Sequence, residues 1–116
     1  MIEKYKERYL ELCSLLDEYS KTGVKKHNKA MKELAKLFYE VRNNQIIAEE
    51  LYNELMDFDD ERVKSIAAVH SLGMNINLTK AQKTLKDISQ KSKEPLSRFN
   101  AEMTLKTWKE QGYLKF

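Results

Sequence analysis

Apolar residues recur every three or four positions along almost the whole chain, a period that fits amphipathic helices and little else. From about Ile2 to Tyr19 the repeating face is Tyr5, Tyr9, Leu12, Leu16 and Tyr19. From about Val24 to Arg42 it is Met31, Leu34, Phe38 and Val41, widened by Ala30, Ala35 and Leu37. A shorter segment, about Ile46 to Asp57, uses Ile47, Leu51 and Leu55. Val63, Ile66, Ala67 and either Val69 or His70 line a fourth, Ala81, Leu85 and Ile88 a fifth, and Ala101, Leu105 and Trp108 a sixth. No strand pattern competes with these, and three Gly and one Pro leave little material for hairpin turns.

The breaks between segments carry their own signals. Ser20 to Gly23 interrupts the first helix, and Asn43-Asn44 ends the second, since paired asparagines favour turns and left-handed caps. Asp59 or Asp60 caps the fourth helix, and Gly73 is placed as its left-handed terminator. Thr79-Lys80-Ala81-Gln82 matches a capping box for the fifth. Pro95 falls in the first turn of the sixth, which stops near Gly112. The expectation is one all-α domain over residues 1–116, with about six helices in three antiparallel hairpins. The second helix of each pair contains Ala-x-x-x-Leu (Ala30/Leu34, Ala68/Leu72, Ala101/Leu105), at intervals of 38 and 33 residues. Those intervals suit two-helix solenoid repeats.

Little in the chain points to bond-making chemistry. Cys13 is the lone cysteine, so no intrachain disulfide forms, and its place in a helical apolar pattern predicts a small buried hydrophobe in a reducing compartment. The N-terminal MIEKYKERYLELC lacks the apolar core of a signal peptide, and no apolar run approaches the ~18 residues that cross a bilayer. A soluble cytoplasmic protein is the expectation. His27 and His70 stand far apart, outside any metal or nucleophile motif, and no C-x-x-C or glycine-rich phosphate loop is present. His70 is expected to pack between helices, and Trp108 and most of the six tyrosines to join the core. No enzyme, cofactor or metal site is expected. Glu102, in the run FNAEMTLKTW at 99–108, is expected to be structural, accepting hydrogen bonds from a neighbouring helix start or pairing with a basic residue.

Charge is the sharper signal. The net value is +3, yet residues 45–61 hold seven acids and no Lys or Arg. Like charges one turn apart cost a helix a few tenths of a kcal/mol each, so such crowding needs a reason. Capping near residue 60 explains one or two of the acids. The others are either solvated surface or a docking patch for a basic partner. Glu50, Glu54 and Asp57 fall on one side of the third helix, and the candidate partner-binding set is Glu49, Glu50, Glu54, Asp57, Asp60 and Glu61. Lys25, Lys29, Lys32 and Lys36 form an opposite feature, a basic stripe on the second helix. It could meet phosphates, but a solvated outer face is the plainer account, since exposed aromatics are not expected between the lysines.

The stretch DDERVKSIAAVHSLG (59–73) resembles the inner helix of a HEAT repeat, with Lys64 where the usual pattern has arginine. This resemblance implies a HEAT/armadillo-like right-handed solenoid of three stacked hairpins. Asn28-Lys29-Ala30 with Leu34, the ERVKSIAAVHSL run, and FNAEMTLKTW with Gly112 resemble a family of small bacterial helical proteins. They are also similar to the helical immunity proteins of contact-dependent growth inhibition systems, over roughly residues 24–112. That resemblance implies a protein that binds and blocks the C-terminal domain of a delivered toxin, often a nuclease. A nuclease presents basic residues to phosphate, which an acidic patch would suit. A helical-repeat adaptor for another protein is the alternative, and a nucleic-acid module using the lysine stripe is the less favoured one.

Overall fold

The computed structural model describes residues 2–17 and 24–114. Its regular elements are α1 (Ile2–Asp17), α2 (Val24–Val41), α3 (Gln45–Leu55), α4 (Glu61–Met74), α5 (Leu78–Lys91) and α6 (Pro95–Gln111). All are helices, as the period predicts. The chain divides into two compact units, residues 1–51 and 52–116, with the boundary inside α3.

In the first unit α1 packs on α2. Tyr9, Leu12 and Cys13 of α1 are buried, as are Ala30, Leu34, Leu37, Phe38 and Val41 of α2. Met31 departs from its expected place and is 44% exposed. The buried arc of α2 centres on Leu34, Leu37 and Val41, and a step of 100° per residue leaves Met31 at its edge. The Tyr5 hydroxyl donates to Glu40 Oε1 at 3.3 Å, and Arg8 reaches Glu11 at 2.8 Å and Glu33 at 3.6 Å. Local desolvation, then the Glu40 carboxylate, raises the Tyr5 phenol above its usual value of 10. Tyr19 and the expected Ser20–Gly23 break lie outside the described residues. The Asn43-Asn44 pair ends α2 without a left-handed residue and also starts α3, because Asn44 Oδ1 accepts the Ile47 N–H at 3.2 Å.

In the second unit α5 is central, packed on α4 and on α6, with a lighter contact between α4 and α6. α4 thus pairs most closely with the helix that follows it, where the hairpin pattern pairs it with α3. Ala67, Ala68 and Leu72 of α4, with Ala81 and Leu85 of α5, have no exposed surface. His70, not Val69, takes the inner position on α4.

Two sequence-derived boundaries are corrected here. Gly73 does not terminate α4; the helix runs through Met74, and Asn75 takes the left-handed conformation (φ 56°). The Asn75 N–H bonds Leu72 O at 3.1 Å and the Ile76 N–H bonds Ser71 O at 3.0 Å, which satisfies the last carbonyls. The longer helix buries Met74 and Ile76, to 7% and 6% exposure, and asparagine tolerates the left-handed region well enough to permit it. Nor does Thr79 cap α5. That helix starts at Leu78 after Asn77 (φ 49°), and the Gln82 amide donates back to Leu78 O at 3.2 Å. Pro95 and Gly112 behave as expected. Pro95 opens α6, and Gly112 (φ 79°) closes it by donating to Trp108 O at 2.7 Å.

His70 is buried edge-on to Tyr52, with ring centroids 5.8 Å apart, and burial pushes its pKa from 6.5 down to about 3. Between those values the unfolded chain binds a proton that the folded chain refuses, so acid favours unfolding. Stability is complete above about pH 6.5 and falls by about 1.4 kcal/mol per pH unit below it. Between pH 7.5 and pH 4.5 the wild type is expected to lose about 2–3 kcal/mol more than His70→Phe loses. Urea midpoints of both proteins at the two pH values measure the difference.

Candidate functional site

α3 carries the acids because its other side is committed to the interior. Ala48, Leu51, Tyr52 and Leu55 are wholly buried, which fixes the helix rotation and turns Glu49 and Glu50 to solvent. Glu54 follows one turn later and is half-exposed. Asp57 does not share this face. α3 ends at Leu55, and Asp57 lies in the turn beyond it.

The remaining acids of the set have work inside the second unit. Asp57 Oδ1 is 2.7 Å from the Lys80 ammonium, which also donates to Asn53 O at 3.0 Å and to Asn53 Oδ1 at 2.9 Å. All three ammonium hydrogens are thereby used, and one lands on a carbonyl at the C-terminal end of α3, where a cation is favoured. Asp60, rather than Asp59, caps α4: its Oδ1 accepts the Arg62 N–H at 2.9 Å and the Val63 N–H at 3.4 Å. Glu61, in the first turn of α4, accepts the Ser92 hydroxyl at 2.7 Å. Ser92 in turn accepts the Glu94 N–H on its Oγ at 3.1 Å and Arg98 on its carbonyl at 2.7 Å. Of the six candidates, Asp57, Asp60 and Glu61 make these contacts from the turn after α3 and the start of α4, and Glu49, Glu50 and Glu54 lie along α3 itself. Asp57 draws its cation from Lys80, which lies 27 positions from Asn53, and nothing in the acidic run itself announces it.

On α2 the side chains of Lys25, Lys29, Lys32 and Lys36 are exposed as expected, but acids interrupt them. Glu33 lies 3.3 Å from Lys36 Nζ, and a cleft of about 320 Å³ between α1 and α2 is lined by Arg8, Lys26 and Lys29 together with Glu11 and Glu33. An aromatic is exposed here after all. Tyr39 is 44% exposed, with the Arg42 guanidinium 4.9 Å above its ring.

The outer face of α6 is the feature that the sequence pattern did not isolate. Ala101 is buried as the repeat predicts, but Leu105 and Trp108, expected on the inner face, are only half-buried, and Leu96, Phe99 and Met103 point outward at 69%, 57% and 40% exposure. Asn100, Met103, Thr104, Thr107, Gln111, Tyr113 and Leu114 border a groove of about 460 Å³ without one charged side chain among them. The i, i+3, i+7 spacing of Leu96, Phe99 and Met103 was visible in the sequence, yet it reads equally well as the rim of a core face. Glu102 is exposed and joins no hydrogen bond or ion pair among the described residues, contrary to its expected structural role. Arg98 and Ser92 secure the start of α6 instead. Among the described residues no group of three or more His, Cys, Asp or Glu is placed to hold a metal, and no helix is long and apolar enough to cross a membrane.

No family model, curated protein or solved structure matches the chain.

Lys80→Met is expected to lower stability by about 1 kcal/mol, since the ion pair is half-exposed and the bonds to Asn53 supply much of the effect. Asp60→Ala is expected to cost about 1 kcal/mol and Asp60→Asn much less, because asparagine keeps the capping oxygen. Thermal and urea denaturation of the three variants provide the check.

Proposed function

We propose that the protein is a non-catalytic helical binding module that neutralises a toxin domain in the bacterial cytoplasm by direct association. Its helices would stack as HEAT-like hairpins. The observation that carries this reading is the placement of Glu49, Glu50 and Glu54 on a helix whose opposite face is wholly buried. Carboxylates held on one helix speed encounter with a basic surface and help set its register. The resemblance of residues 24–112 to helical immunity proteins names the partner class, and a nuclease-type toxin domain has the basic surface this row would complement. Asp57, Asp60 and Glu61 contribute by holding the neighbouring backbone in place.

One observation favours a second reading. Tyr39 is exposed on the same helix as the lysine stripe, the Arg42 guanidinium from the turn after α2 lies 4.9 Å from its ring centroid, and phosphates with bases could use both. The acids Glu11 and Glu33 beside those lysines oppose it.

Co-expression with the toxin domain encoded immediately upstream is expected to protect cells and to yield a co-purifying pair. Cell death without co-purification rejects the immunity role; co-purification with an unrelated protein would point to an adaptor. Reversing Glu49 and Glu50 to Lys is expected to weaken toxin binding by roughly tenfold or more at low salt, chiefly through the on-rate, with the loss shrinking as salt rises. Unchanged kinetics would remove α3 from the contact. A gel shift with DNA or RNA at low salt is expected to show no complex.

A further inference from the structure

We draw no further inference here: the strongest candidate, the outer apolar face of α6 that displays Leu96, Phe99 and Met103, carries none because nothing in the structure shows what covers it.

Discussion

The second unit depends on the close approach of α4 and α5, and small buried side chains make that approach possible. Ala67, Ala68 and Ala81 leave no surface exposed, and Leu72 and Leu85 are equally covered. An alanine lets two helix backbones come near, while a leucine one turn away occupies the space that remains, so that the interface reaches the density of a protein interior. Everything else in this unit is arranged around that contact. His70 shares the buried side of α4 and stays neutral because no water reaches it. Polar ties fasten the ends: Glu61 to Ser92 at one and Lys80 to Asn53 and Asp57 at the other. Each is modest alone, and together they hold the helix ends in register where burial is incomplete.

The same arrangement explains how a chain tolerates seven acids in a row of 17 residues without a local cation. Helix capping, a serine hydroxyl and a lysine from α5 take up Asp60, Glu61 and Asp57. The acids along α3 are turned outward by the burial of Leu51, Tyr52 and Leu55 on its other side. Repulsion among them is a small cost beside the apolar burial that sets the helix rotation. Negative charge is thus displayed on the side of α3 that burial leaves to solvent.

α6 shows the opposite balance. It gives the interior one wholly buried side chain, Ala101, with Leu105 and Trp108 only half-covered, and it leaves larger apolar groups outside. A helix apolar on more than one side has either a second partner or an unusual exposure. The FNAEMTLKTW run is therefore two surfaces at once. Ala101 and Leu105 continue the spacing of Ala30/Leu34 and Ala68/Leu72, while Phe99 and Met103 face away from them.

What the amino-acid order determined by itself was local. A three-to-four-residue apolar period is set within each segment, so all six helices and most of their inward residues were legible, as were the ends marked by Pro95 and Gly112 and the capping by an aspartate before α4. Tertiary structure decided whatever depended on distant groups. Burial of Met74 and Ile76 carried α4 past Gly73 to Asn75, overriding a good local stop signal. Lys80 recruited Asp57 into a structural contact from the next helix but one, a pairing that no local pattern encodes. The outward turn of Leu96, Phe99 and Met103 was likewise undecided until neighbouring helices covered the other side of α6. Periodicity reports that a residue lies on a face, but which face is buried depends on what packs against it.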